Sequence, residues 1–199
     1  EEQAKYVHLQ AMTDIFKAYY AFYTSDINGS IPYSQAFQGR NGGTLEPVYD
    51  KQQDLFDTLD LQIKNAVHNL ETVQPIAQQL PGSKDPFYGS NATAHPDEVA
   101  AWVKAGNALR LKIAMRLMKQ DPAKLQSIAN EVLTDPNQME ENNDGWVLMV
   151  GPNYANATGN YNPTGFAAAK PTLDFMVAKQ DPRLSIFYTK SRAGQWLGS

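Results

Sequence analysis

Residues 96 to 120 constrain this chain more than any other stretch, because they carry an apolar helical pattern on nearly every face. Trp102, Ala105, Leu109, Ile113 and Leu117 recur at the spacing of one helix stripe. Val103, Ala108, Leu111, Met115 and Met118 cover much of the remaining circumference. A helix apolar on most sides is packed on most sides, so this one is expected centrally, among other helices. Its ends are marked as well. Pro96 suits a first helical position, Asp97 and Glu98 sit where the helix dipole favours acids, and Arg116 and Lys119 sit where it favours cations. Asp121-Pro122 then stops it and opens the next helix.

The rest of the chain supplies partners for that helix. A first helix is predicted from about Glu2 to Tyr23, with Ala4, Val7, Ala11, Ile15, Ala18 and Phe22 in one stripe. Tyr19, Tyr20, Phe22 and Tyr23 crowd its last turns and are expected to pack against a neighbouring helix. Residues 24 to 47 read as irregular, with Asn28-Gly29 and Asn41-Gly42-Gly43 as turns and Ile31-Pro32-Tyr33 as an extended piece. Val48 to Glu71 forms a narrower amphipathic helix through Leu55, Leu59, Ile63 and Leu70. Asp54, Asp57, Asp60 and Lys64 lie off that stripe, so its other side is expected to face solvent. Residues 72 to 95, rich in Pro and Gly, read as a long surface connection.

After the central helix, Pro122 to Leu133 is predicted helical, with Leu125, Ile128, Ala129, Val132 and Leu133 inward. Trp146 to Val150 suits a short strand or an apolar loop anchor, Pro171 to Lys179 a short helix, and Ile186 to Thr189 has strand composition. The fold class that results is mainly all-α: antiparallel helix pairs with long irregular loops and room for one or two short strands.

Composition removes several functions. A net charge of −4 gives no basic field for nucleic acid. There is no cysteine, hence no thiolate chemistry. The histidines His8, His68 and His95 show no metal-ligand spacing, and no nucleophile elbow or phosphate-cradling glycine loop is present. No carboxylate pair stands out as a glycosidase acid and nucleophile. No cofactor is expected. Glu140-Glu141-Asn142-Asn143-Asp144 gathers oxygen ligands of the kind calcium takes, but the spacing matches no known loop and a solvated turn is the better reading.

One segment has a functional flavour. Gly145 to Ala169 holds no charged residue and sets Trp146, Tyr154, Tyr161 and Phe166 among Asn153, Asn156, Asn160 and Asn162. Flat rings and neutral amides suit a sugar, which offers a C–H face to stack and hydroxyls to hydrogen-bond. Trp146, Tyr154, Asn160 and Tyr161 are the candidate ligand residues. Anchoring of the loop to the helices is the competing reading for Trp146 and Phe166.

Ala18-Tyr19-Tyr20-Ala21-Phe22, followed by Ile31-Pro32-Tyr33-Ser34-Gln35-Ala36, resembles a helix end and turn of the SusD/RagB-like outer-membrane lipoproteins, in the nutrient-binding branch. The resemblance continues through Tyr49 to Phe56, Phe87-Tyr88-Gly89, Trp102 to Leu117, Asp121-Pro122-Ala123 and Asp181-Pro182-Arg183-Leu184, in the family's order. It implies tetratricopeptide-like helix pairs, a lipid tether on the outer membrane, and capture of glycan or sometimes peptide. It also implies delivery of the nutrient to a SusC-like TonB-dependent transporter. Family members are several hundred residues long, so a lipidated N-terminal part and a large C-terminal portion are expected to be missing here. The Gly-Gly-Asp that often precedes the family's central helix is replaced by Gly89-Ser90-Asn91. A helical scaffold gripping a partner peptide is the alternative function.

Overall fold

In the computed structural model, residues 2–89, 95–148 and 168–198 are described. The chain divides into two compact units, Glu1–Met149 and Val150–Ser199. The first contains α1 (Val7–Asn28), α2 (Gln52–Glu71), α3 (Glu98–Ala114) and α4 (Pro122–Leu133). The second contains α5 (Lys170–Ala178) and the single turn α6 (Leu184–Phe187). Among the described residues the extended backbone pairs only at one bridge, Ile31 with Asp50.

Hydrogen bonds between the helices fix their directions. Gln52 Nε2 donates to the Ser25 carbonyl (2.7 Å) and Gln62 Nε2 to the Asp14 carbonyl (2.9 Å), so α1 and α2 run antiparallel. Arg110 on α3 pairs with Asp60 of α2, and Gly106 meets Val67, so α2 and α3 are antiparallel too. α1 and α3 therefore run the same way, with Gly106 beside Ile15 and Arg116 beside Asp26. This is the stacked-pair arrangement that the sequence implied.

The three long helices share one core. Ala11, Ile15 and Ala18 of α1, Leu59 and Ile63 of α2, and Ala105, Leu109 and Ile113 of α3 are all buried. Gly106 sets the separation. A Cβ there would lie 2.6 Å from Val67 Cγ2, closer than carbon atoms pack, and a tight 3.1 Å from Ile15 Cδ1. α4 closes the far end through Ile128 and Val132 against Ala114 and Leu117.

Several boundaries differ from the sequence reading. α1 continues five residues past Tyr23, because nothing breaks it until Gly29 takes φ +77° and donates its N–H to the Ser25 carbonyl. α2 starts at Gln52 rather than Val48. Asp97, not Pro96, begins α3: its carboxylate accepts from the Ala100 N–H, leaving Pro96 outside the helix. α3 ends at Ala114 and tightens into a 3-10 turn, Met115–Leu117. Met115 and Met118 are half exposed, so α3 is enclosed along its first four turns and not beyond. Asp121 caps α4 with Pro122 in its first turn, as expected.

Side chains also depart from expectation. Leu133 points outward at 64% exposure. The charged side of α2 does not face only water: Asp57 pairs with Lys124, Lys64 with Glu131, and Asp60 with the buried Arg110. Arg110, 4% exposed, also reaches Glu131 at 3.1 Å, so one guanidinium ties α2, α3 and α4. In the second unit, Leu173 and Met176 are buried, and Ile186 and Phe187 lie in a helical turn rather than a strand. Asp181 folds that turn by accepting from the Arg183 backbone and guanidinium, and the local bonds outweigh the β-branched composition. No helix among the described residues is long and apolar enough to cross a membrane.

Gly106→Val should lower the unfolding free energy by about 1–3 kcal/mol, the usual cost of overpacking. Urea denaturation checks this, and adding Val67→Ala should recover part of the loss.

Candidate functional site

The connection between α2 and α3, read from sequence as surface, carries buried and hydrogen-bonded side chains. Asp85 is 2% exposed and Tyr88 fully buried. Asp85 Oδ2 accepts from Trp102 Nε1 at 2.6 Å and Oδ1 from the Phe87 N–H at 2.8 Å. A carboxylate bonded this way turns the connection inward and lays Phe87 and Tyr88 against Trp102, with centroids 5.9 and 5.8 Å apart. Gly89 is required by this turn, since a Cβ there would fall 1.7 Å from the Gly82 carbonyl oxygen.

Trp146 is wedged into the same cluster. Its ring lies 4.9 Å from Phe87, 5.0 Å from Tyr19, 5.4 Å from Trp102 and 6.0 Å from Phe16. Its Nε1 is buried without a hydrogen-bond partner. The turn before it is fixed by Asp144, whose Oδ2 accepts from the N–H groups of Glu140 and Glu141 and whose Oδ1 meets Lys104 at 3.0 Å. Those two backbone donors, and then Lys104, hold the Asp144 carboxyl down at about 2. The acidic run is thus a capped turn whose last carboxylate, Asp144, is engaged at both oxygens, and no group of three or more His, Asp or Glu side chains placed to hold a metal ion is found among the described residues.

Beside this cluster opens a cavity of about 460 Å³. Phe16, Tyr19, Tyr20, Phe87 and Trp146 supply its rings, and Lys112 is the one charged residue in its described lining. Phe16, Tyr19 and Tyr20 fall on one face of α1 because they are spaced i, i+3 and i+4. Contrary to expectation, Tyr20 and Tyr23 are not packed away; each is 54% exposed. A second cavity, of about 410 Å³, adjoins along the same helix and shares Tyr20. Its far wall, Tyr33 to Phe37, is pinned by Asp50, which accepts from the Tyr33 and Ser34 N–H groups and the Ser34 hydroxyl. The same bonds, those from Ser34 foremost, keep the Asp50 carboxyl below its ordinary range.

Of the sequence candidates, the structure places Trp146 in the cavity wall, mostly turned into the protein. Tyr154, Asn160 and Tyr161 lie outside the described residues, as does Phe166. The residues missed were Tyr20, Phe87 and Lys112. The signal for Tyr20 was present, since four aromatics in five positions cannot all face one stripe.

A family profile described as SusD-like, starch-binding and associating with the outer membrane matches residues 1–198. The chain belongs to the SusD-like family. No curated protein sequence matches it. Among solved structures, a SusD homologue from Bacteroides vulgatus is 22% identical with a TM-score of 0.79, covering 98% of this chain and 38% of its own. A chitin-binding SusD homologue from Flavobacterium johnsoniae is 23% identical with a TM-score of 0.75, covering 95% and 38%. One from Bacteroides fragilis is 22% identical with a TM-score of 0.70, covering 94% and 38%. These likenesses establish a shared fold. The SusD-like chain spans under two fifths of the length of each of these relatives.

Glu98 provides a solution test of the buried connection. Its Oε2 accepts from the Gly82 N–H at 3.2 Å, while Oε1 is buried and unpartnered. Burial first, then the hydrogen bond and charge of Asp85, push its carboxyl from the ordinary 4.5 up to about 7. Burial beside the Asp85 carboxylate thus favours the protonated form of Glu98. The folded state holds this proton more tightly than the unfolded chain. Its stabilisation is complete below about pH 4.5 and fades as pH rises through about 7. Thermal melts between pH 5 and 8 should show this decline, and Glu98→Gln should flatten it.

Proposed function

We propose that this SusD-like chain captures a glycan nutrient at the outer surface of the outer membrane, holds it unaltered, and passes it to a TonB-dependent transporter. The observation that carries the reading is the aromatic cavity between α1, the inward connection and Trp146, in a chain matched by a starch-binding family along almost its whole length. Pyranose rings present C–H faces that stack on aromatic rings, and their hydroxyls find the tyrosine hydroxyls and the lysine. A volume near 460 Å³ lies within the usual range for small-ligand sites.

Holding rather than cleaving agrees with the lining. Glycoside hydrolysis needs two carboxyl groups flanking the scissile bond, and no carboxylate borders the cavity among the described residues. The chitin-binding name of the Flavobacterium johnsoniae relative supports a glycan over a peptide. Attachment by lipid and a SusC-like partner belong to this same proposal.

Isothermal titration of the protein against a panel of oligosaccharides tests it, and absence of heat with every glycan would count against it. Tyr20→Ala should weaken binding by about 5- to 30-fold, the worth of roughly 1–2 kcal/mol of stacking. Because Tyr20 is half exposed, the melting temperature should hardly move. Trp146→Ala is expected to lower it instead, since four rings lean on that side chain.

A further inference from the structure

The two cavities along α1 have the same chemical design. Each joins aromatic walls to a single lysine and no carboxylate. The first has Lys112, with its ammonium 5.6 Å from the Tyr19 ring centre; the second has Lys17, 4.9 Å from the Tyr33 ring centre. The ring quadrupole holds each ammonium over the wall. Neither lysine forms an ion pair among the described residues, a property they share with Lys51, Lys84 and Lys119; what sets them apart is the aromatic ring beneath each ammonium. Asp26, whose carboxyl feels the Lys112 charge, has both oxygens taken by Arg116 at 2.8 Å, and Asp14, three positions before Lys17 on α1, accepts from Gln10 Nε2 at 3.0 Å.

Tyr20 is the ridge between the cavities and lines both. Phe37 rims the second. It is a bulky aromatic held at φ +62° and 96% exposed, an arrangement that a ring serving only the protein's own packing would not need.

We propose that the ligand is an anionic glycan, carrying carboxylate or sulfate groups, that crosses Tyr20 and engages Lys112 in one cavity and Lys17 in the other. This rests on the glycan-binding reading above and names the class of glycan. Sugar faces stack on the rings, and the acid substituents meet the two lysines. The pattern sets one ammonium over an aromatic ring in each cavity.

The test is titration with three probes of equal length: galactotetraose, tetragalacturonic acid and a sulfated galactotetraose, each at 20 mM and 300 mM salt. Tetragalacturonic acid or the sulfated probe should bind at least about tenfold tighter than galactotetraose at low salt, with the advantage shrinking at high salt. Which of the two binds tighter tells carboxylate from sulfate. Lys17→Met and Lys112→Met keep the aliphatic stem, and each should weaken the acidic probe by more than it weakens galactotetraose, which cuts the advantage. Phe37→Ala should weaken the acidic probe without changing the melting temperature. Equal or tighter binding of galactotetraose overturns the anionic proposal and leaves the glycan reading standing. Loss of affinity with Lys112→Met alone overturns the two-cavity span. No binding of any probe overturns both.

Discussion

The fold depends on how closely three helices approach at Gly106. With no side chain there, α3 settles against Val67 of α2 and Ile15 of α1 at once, and the alanines of α1 keep that side equally thin. Every other feature follows from this spacing. It brings Arg110 within reach of Asp60, and carries Trp102 to the level where Asp85 can bond it. A buried guanidinium needs partners to offset its desolvation, and two carboxylates from different helices provide them. The charge thus joins α2, α3 and α4 at one level.

The aromatic cluster is a second layer built on the first. Asp85 draws the connection inward, Phe87 and Tyr88 follow, and Trp146 closes over them from the other side. A rigid inner set of rings then supports a partly exposed outer set on α1. Binding surfaces work best when the groups that meet ligand are themselves held by groups that do not, and Tyr20 on Phe16, with centroids 4.9 Å apart, has that support.

How much of this was legible in the sequence depended on the range of the interaction. Helix identity and the all-α class could be read, because periodicity and caps are local: Asp121-Pro122 opens α4 as its chemistry dictates. The family could be read from the order of its motifs. The inward turn at Asp85 could not, because Asp-Pro among glycines looks like any exposed loop until Trp102, seventeen residues on, supplies the donor. The partial exposure of Tyr20 and Tyr23 was likewise hidden, since one helix wheel does not say how wide its neighbour is. For the candidate site, Trp146 was picked for its ring, yet the cavity it borders is made mostly from residues more than forty positions away.

The contact of Gly89 with the Gly82 carbonyl leaves no room for a β-carbon of any kind. Two points of the chain seven residues apart in sequence touch backbone to backbone, like a knot drawn tight. Random drift can therefore alter almost every neighbour of that crossing but not the crossing itself, so a distant descendant of this chain would still be recognisable there by one missing side chain.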